Sequence, residues 1–323
     1  MIPNPACIRA TRRWAFGEAG IIASLFGMVI LAINRSWIGI TVAVLVSASV
    51  ALIIYWSETR LLRRRLAVLQ QPFPASWESI LLQRVPYYAS LIGSERLRFQ
   101  QLVRLFLSEK PIYGIGCKVD DVTRLFVAVS AVIPIFGFPN WEYTTLRKIL
   151  LRPEAFDAEF REGNAMPRLA EGMVGASGLF NGIMILSQPE LLAGFNVGAG
   201  KHHVGIHEFA HLIDQSNGAI DGIPDGIPRT CLRPWTTLIH EHLSQHSKRE
   251  SGIPAYGYTN EAEFFAVVSE YYFQSPDELA RRDPALYALL NRIFRQDMLS
   301  HAQLMRRLPN RSPDASMHGV DSA

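Results

Sequence analysis

Two long runs without charge open the chain. Residues 19–33 and 38–55 contain no charged side chain, and Asn34-Arg35-Ser36 joins them. A helix needs about 20 apolar residues to cross a bilayer. The second run reaches that length, and the first does so only if residues 14–18 lie in the head-group region. The pattern predicts an N-terminal transmembrane helical hairpin. A cleaved signal peptide is less favoured, because a second apolar run rather than a small-x-small cleavage site follows, and a buried hairpin of a soluble domain is the other alternative.

The residues around the two runs predict how the hairpin is oriented. Trp14, Trp37 and Trp56 lie where interfacial aromatic residues belong. Seven arginines flank the outer ends of the hairpin: Arg9, Arg12, Arg13, Arg60, Arg63, Arg64 and Arg65. The connecting loop has only Arg35. Since positively charged ends stay in the cytoplasm, we expect a multi-pass hairpin in the inner (cytoplasmic) membrane with both termini and the main domain in the cytoplasm.

The first part after the hairpin has helical spacing interrupted by prolines and glycines. Residues 61–75 are basic and then proline-bearing, which predicts a short juxtamembrane helix and a linker. Helical spacing continues over 77–110, with breaks at Pro86 and Gly93. Asp120 is placed to cap a further helix through Val132, and Pro134 is expected to end it. The glycine-rich stretch 163–182 is too irregular to assign.

Two strands and four later helices complete the prediction. We expect strands at 144–151 and 182–187, and helices at these positions: 204–216, 234–248, 260–274 and 284–300. The fold class predicted is therefore α+β, helix-dominated, with a small sheet. We expect residues 1–66 to form the hairpin and juxtamembrane helix, residues 67–307 the main domain, and residues 308–323 a disordered polar tail.

Composition agrees with a membrane segment and excludes some classes of function. Charged residues make up 19% of the chain, mean hydropathy is +0.11 and the net charge is +3. Lysines and arginines do not gather on aromatic-rich faces, so we expect no nucleic-acid partner. The three cysteines, Cys7, Cys117 and Cys231, are far apart, which argues against a disulfide framework and fits a reducing compartment.

The strongest chemical signal is the pentapeptide His-Glu-Phe-Ala-His. His207 and His211 are four residues apart, so a helix puts both imidazoles on one face, able to grip one ion. Zinc suits two neutral imidazoles and a carboxylate, with one position open for water. Glu208 follows the first histidine and can take a proton from that water, then pass it to a leaving amine. We therefore predict one Zn²⁺ per chain.

The third protein ligand must come from farther along the chain. Asp214 and Asn217 stand where a third-histidine motif would need Gly and His, so that arrangement is excluded. Glu261 and Glu263 both follow the expected N-cap of the next helix, and they point about 200° apart. Glu263 is the favoured ligand, because aromatic neighbours predict that its turn is buried and a buried carboxylate needs a partner. Glu261 is a candidate to hold a ligand histidine from outside, and Glu270 remains a rival ligand.

The other histidines are interpreted as surface residues. His202 and His203 precede the motif helix and are expected to form a solvated loop pair. His242 and His246 also have helical spacing, but no glutamate follows His242. We expect a solvated helix face there.

These motifs together resemble the Mlc titration factor A family of zinc peptidases. The resemblance rests on His-Glu-Phe-Ala-His-x-x-Asp at 207–214, Asp-Gly-Ile-Pro at 221–224 and the Asn-Glu-Ala-Glu-Phe-Phe stretch that begins at 260. That family's core is similar to the anthrax lethal factor protease domain, which carries Tyr-Gly-x-Thr-Asn-Glu-Ala-Glu-Phe-Phe, as found here at 256–265. The likeness extends from about residue 77 to 296 and includes three shorter matches, at 106–110, 152–156 and 185–187.

The resemblance implies a zincin-like metallopeptidase domain with specific roles for several residues. Glu263 would be the third ligand, and Tyr256 would lie beside the metal, where its hydroxyl could donate a hydrogen bond to the oxyanion. Asp214 would orient a histidine or the helix end. The family is known for peptidase activity and for binding a glucose-related transcriptional repressor. Its best-known members are soluble, so the hairpin is a departure.

The function predicted is a zinc-dependent peptidase that hydrolyses peptide bonds with a metal-activated water, anchored in the membrane and facing the cytoplasm. Its partner would be a peptide or protein substrate. The alternative is a non-catalytic zinc-containing binding module that sequesters a transcriptional regulator. An intact Glu208 and Tyr256 favour the enzyme, since a structural zinc site needs neither a base nor an open position.

Overall fold

The computed structural model describes most of the chain, in these ranges: 2–33, 36–153, 182–196, 200–245 and 252–307. Four sequence predictions lie outside the described residues: the loop residues Asn34 and Arg35, nearly all of the glycine-rich stretch, His246, and the tail 308–323. The chain divides into two compact units. One comprises Met1–Phe73 with Arg104–Glu109, and the other comprises Pro74–Val103 with Lys110–Ala323. The boundary proposed at residue 66 stays a prediction.

The first unit contains the two apolar helices. α1 spans Pro5–Ile33 and α2 spans Trp37–Glu58, and each is long and apolar enough to cross a membrane. They pack closely through small residues. A Cβ added to Gly27 would lie 2.8 Å from Ser47 Oγ, and the buried positions are all small: Ala15, Ala19, Ala23, Gly39 and Ala43. Many of their large apolar side chains are exposed, as expected for helices that face lipid.

A basic helix follows and is held by ion pairing. α3 spans Arg60–Gln70, close to the juxtamembrane helix expected from the sequence. The guanidinium of Arg65 donates to both carboxylate oxygens of Glu109, at 2.6 and 2.8 Å. This bidentate pair is largely shielded from water, so it fixes α3 more firmly than an exposed pair would.

The second unit is helical around a small parallel sheet. Its strands are β1 (Ile112–Gly114), β2 (Lys148–Arg152) and β3 (Ile183–Ser187), hydrogen-bonded in that order. Eleven described helices belong wholly or mainly to it: α4 (Ala75–Arg84), α5 (Pro86–Ser90), α6 (Gly93–Glu109), α7 (Asp121–Ile135), α8 (Gln188–Ala193), α9 (Val204–Gln215), α10 (Arg229–Gln245), α11 (Glu261–Gln274), α12 (Pro276–Arg282), α13 (Pro284–Phe294) and α14 (Met298–Arg307). The predicted fold class, helix-dominated with a small sheet, is confirmed.

Some element boundaries differ from the sequence prediction for identifiable reasons. Pro134 lies inside α7 rather than ending it, in a fully buried last turn. Pro234 likewise lies inside α10, which begins earlier than expected, at Arg229. The earlier start buries Cys231 together with Trp235 and Ile239 on one face of the helix. The helix expected over 284–300 is two helices, since Arg295 adopts the left-handed conformation with φ of 55°. β1 was not predicted, as three residues carry no detectable alternation.

The core of this unit is built around α9 and α11, which pack against each other. Phe209 and Ile213 of α9 are fully buried, as are Phe264, Phe265 and Val268 of α11. Burying these side chains removes a large apolar area from water, which is the main force that holds the two helices together. As a result, His207 and His211 of α9 lie next to Glu263 of α11.

Candidate metal centre

Helix α9 carries the histidine pair and has a well-defined start. His203 is its N-cap, and Nδ1 of that ring accepts the Ile206 N–H at 3.3 Å. Ile206 and Phe209 are buried on the apolar side. With the helix anchored in this way, His207 and His211 lie one turn apart with ring centroids 4.8 Å from each other.

The structure brings His207, His211 and Glu263 together as a group that could hold a metal ion, with ligand atoms all within 4.8 Å. Nε2 of His207 lies 3.2 Å from Nε2 of His211 and 3.2 Å from Glu263 Oε2. Nε2 of His211 lies 3.4 Å from Glu263 Oε1. Tetrahedral zinc with ligands at about 2.0–2.1 Å would separate them by about 3.3 Å. The donor set and its spacing therefore fit zinc.

Electrostatics at this point also favour a cation. Burial by itself lowers the pKa of His207, but the Glu270 and Glu263 carboxylates outweigh burial and raise that pKa well above its usual value. Burial acts to raise the pKa of Glu263, yet its bonds with the two histidines hold that pKa far below the ordinary range. Glu263 is therefore favoured as an anion, and the two carboxylates beside His207 favour a positive charge at the centre.

Glu263 owes its position to the first turn of α11. The predicted N-cap is observed: Asn260 Oδ1 accepts the Glu263 N–H at 2.9 Å. The next residues, Phe264 and Phe265, are buried, so the turn cannot rotate away from α9. Glu261 is exposed at the start of the same helix. The structure shows no bond from Glu261 to a ligand histidine, so the expectation that it holds one is not met.

Glu270, rather than Glu261, contacts a histidine of this group. Its Oε1 lies 2.6 Å from His207 Nδ1, on the opposite side of the ring from Glu263. Its Oε2 accepts the backbone N–H of His203 at 2.5 Å and lies 2.8 Å from His202 Nδ1. A carboxylate on Nδ1 fixes the proton there and turns the Nε2 lone pair toward the metal position. Glu270 is thus placed to orient a ligand, and it does not reach the metal position.

Glu208 and Tyr256 border the same centre. Glu208 is half-buried, and this burial raises the pKa of its carboxyl, opposed by the neighbouring His207 and His211. Tyr256 lies in the 3₁₀ turn Ala255–Tyr258, with its ring centroid 6.1 Å from that of His207. The structure thus places both residues beside the histidine pair.

Asp214 holds a loop at the end of α9. Its Oδ2 accepts the Gly222 N–H at 3.0 Å, and the Gly222 carbonyl accepts from Trp235 Nε1 at 2.7 Å. Burial raises the pKa of Asp214 to about 6. A Cβ on Gly222 would lie 2.4 Å from the Glu261 carbonyl oxygen. The loop therefore ties the end of α9 to α10 and to the first turn of α11, two residues before Glu263.

Two histidines predicted to be solvated are buried, which corrects those predictions. His203 is 1% exposed and packs edge-on against Phe195 at 4.5 Å. Nε2 of buried His242 lies 3.0 Å from Asp283 Oδ2, and this pair links α10 to α13. His202 is exposed as predicted, although it contacts Glu270. Of these contacts, the sequence signalled only the one made by Glu270. This residue follows Glu263 by seven positions and therefore lies on the same face of the helix.

The site combines a pair of histidines one turn apart, an intervening glutamate and a carboxylate from a second helix. Zinc-dependent metallopeptidases have this arrangement. The model of the family described as glucose-regulated metallo-peptidase M90 matches residues 59–295. The chain belongs to this metallopeptidase family. The match includes all the residues of the candidate centre, and it begins directly after α2.

Individual relatives agree with this assignment. The chain is 30% identical over 242 residues to an uncharacterised protein of Synechocystis sp., an alignment that covers 72% of this chain and 87% of the relative. It is 27% identical over 232 residues to Mlc titration factor A of Salmonella agona, covering 68% and 86%. Mlc titration factor A of Salmonella arizonae gives 27%, with 68% and 90% covered. The resemblance to the Mlc titration factor A family is confirmed.

Proposed function

We propose that this protein is a zinc-dependent peptidase of the membrane surface, acting on peptide or protein substrates in the cytoplasm. The observation that carries the proposal is the convergence of His207, His211 and Glu263 at tetrahedral spacing beside Glu208. A structural zinc site would have four protein ligands. Three candidate ligands, with Glu208 as a further carboxylate beside them, support a site that keeps one position open.

His207, His211 and Glu263 would hold one zinc ion per chain, and Glu270 would keep the His207 ring in the required tautomer. When bound, zinc supplies a Lewis acid that polarises a water molecule and the scissile carbonyl. The protein's own groups then decide where protons go and how the substrate is oriented.

Glu208 is assigned the proton transfers. It would take a proton from the attacking water and deliver it to the leaving amine. General acid–base catalysis of this kind speeds a reaction by about 10²–10⁴-fold. Burial shifts the pKa of Glu208 upward, toward neutral pH. A carboxylate with such a pKa can both accept a proton and return it. Tyr256 would donate its hydroxyl to the oxyanion that develops on the substrate carbonyl.

The hairpin is assigned as the membrane anchor. α1 and α2 have the length and composition to cross a bilayer, and only 11% of each apolar window is buried within the protein. A core helix of a soluble protein would be mostly buried, so this exposure supports insertion in lipid. The arginines at both outer ends support the cytoplasmic orientation of the metal centre.

Glu208→Gln tests the enzymatic proposal. The variant should keep one zinc per chain and an unchanged thermal midpoint, because Glu208 is not a proposed ligand. Peptide hydrolysis should fall by about 10²-fold or more, since the general base is lost. Tyr256→Phe should also lower kcat, by about 10-fold or more, with less effect on KM. The measurements are zinc content, thermal unfolding and cleavage of a peptide library.

Glu261→Gln is the matched control, because it removes a carboxylate from the same region without touching the histidines. It should retain parental zinc content and rate. If the parent cleaves peptides and Glu208→Gln cleaves them equally well, the proposed mechanism is wrong. The name of the Salmonella relatives says titration of Mlc, which keeps the binding module as the alternative. A binder would show no hydrolysis in the parent, and both variants would retain affinity for a regulator of that kind.

A further inference from the structure

A cavity lies at the N-terminal end of α9, the helix that carries the histidine pair. It has a volume of about 320 Å³, and its walls include His203 and Ile206 of α9 and Ala302 of α14. This volume is at the lower end of the range for small-molecule sites. The residues assigned to the metal centre are absent from its lining: His207, Glu208, His211, Tyr256 and Glu263. The cavity is therefore separate from the candidate metal centre.

The lining of the cavity is mainly apolar and has one permanent charge. Phe195, Phe273 and Met298 contribute apolar surface, and neither aspartate nor glutamate lines it. Arg84 is exposed at its edge. Its guanidinium donates to the Asn196 side chain at 3.0 Å and has no carboxylate partner among the described residues. An apolar wall beside an unneutralised guanidinium favours an anionic molecule with an apolar body.

His203 supplies a second polar group to the cavity. Because its Nδ1 accepts the Ile206 N–H, the neutral ring carries its proton on Nε2. That N–H is buried and has no acceptor in the part of the chain that the structure describes. An unsatisfied buried donor is costly, and a ligand oxygen would remove this cost.

The cavity wall is also connected to the metal centre. The backbone N–H of His203 donates to Glu270 Oε2, and Oε1 of the same carboxylate contacts the ligand histidine His207. Ile206, on the cavity wall, directly precedes that histidine. A molecule that displaces His203 or Ile206 would therefore act on the contacts that hold the His207 ring.

We propose that this cavity is a regulatory site for a small carboxylate with an apolar body, and that its occupancy alters the metal centre. The carboxylate would contact Arg84, and the apolar part would lie among the aromatic and methionine side chains. The binding claim stands by itself, and the regulatory claim rests on the proposed peptidase function.

The binding claim is tested with 4-phenylbutanoate as the probe and 4-phenylbutanamide as its uncharged counterpart. The full chain in lipid nanodiscs is titrated with each compound, and empty nanodiscs provide the blank. We expect saturable binding of one phenylbutanoate per chain with a Kd of about 1 mM or lower, as ligands of this size allow. The amide should bind at least about 10-fold more weakly. Equal affinity for acid and amide would overturn the assignment of an anionic ligand.

Ala302→Phe places a ring in the cavity, and Gln303→Phe adds the same ring at an exposed neighbouring position of α14 that does not line it. Ala302→Phe should weaken binding by about 10-fold or more, and Gln303→Phe should leave it unchanged. Arg84→Gln should reduce affinity for the acid to that for the amide. If Ala302→Phe binds like the parent at an unchanged thermal midpoint, the ligand is elsewhere and the site is wrong.

The regulatory claim is read out in the same samples. Saturating phenylbutanoate should change the zinc affinity and the peptide-hydrolysis rate of the parent by at least about 2-fold, and both effects should vanish in Ala302→Phe. Binding without either effect would overturn regulation. Absence of hydrolysis in the parent would count against the proposed function alone, because probe binding and zinc affinity are measured without substrate.

Discussion

The two carboxylates of α11 have separate tasks at residue scale. Glu263 faces Nε2 of both histidines, whereas Glu270 faces Nδ1 of His207 only. Glu270→Gln removes the negative charge beside His207 but keeps an oxygen that can accept from the ring. The fall in zinc affinity should therefore be limited to about 10–100-fold. Glu263→Gln removes the proposed anionic ligand itself and should lower zinc affinity further. Competition with a chelator of known affinity measures both, and a larger loss in Glu270→Gln would mean that the wrong carboxylate was chosen as ligand.

His203 predicts a pH dependence of stability. Burial lowers the pKa of this ring to about 4, below the ordinary value of about 6.5. The unfolded chain therefore takes up a proton before the folded chain does. The stabilising contribution is complete above about pH 6.5 and is lost as pH falls toward 4, with a magnitude on the order of 3 kcal/mol.

His203→Asn isolates this effect, because asparagine also caps a helix and does not titrate. Thermal midpoints are measured from pH 7 to pH 4.5. The parent should lose stability more steeply than the variant over this interval. Parallel curves would show that the ring does not stay neutral in the folded protein.

At the scale of elements, the loop around Gly222 sets the spacing of α9 and α11. Gly222 has φ of +73°, and a Cβ there would collide with the Glu261 carbonyl. Gly218 has φ of +95° with nothing within 4 Å. Gly218→Ala should cost only the left-handed conformation, about 1–2 kcal/mol. Gly222→Ala should cost more and should also weaken zinc retention, since the start of α11 must shift. Equal midpoints and equal zinc affinity would refute this role for the loop.

At the scale of the whole molecule, the proposed membrane anchor would determine on which side of the membrane the metal centre lies. A reporter fused after Arg65 should be cytoplasmic, and one inserted at Asn34 should be on the far side of the membrane. Protease accessibility of the two fusions measures this. The reverse result would contradict the orientation derived from the arginines. Full solubility of the intact chain without detergent would remove the membrane assignment.

The sequence by itself determined the features that depend on local spacing. Apolar runs without charge predicted α1 and α2, and two histidines four residues apart predicted a shared helix face. The Asn260 cap and the place of Glu263 in the first turn of α11 were also readable, because capping acts over three residues. The short strand β1 was not, since its stability comes from pairing with β2.

Only the tertiary structure decided which side of His207 each carboxylate reaches and which histidines are buried. Glu263 and Glu270 share one helix face, and their different tasks follow from how α11 lies against α9. His203 and His242 look polar in sequence, yet they are buried by packing against Phe195 and by pairing with Asp283. The physical reason is that burial and ion pairing depend on distances between segments far apart in the chain, which periodicity along one segment does not contain.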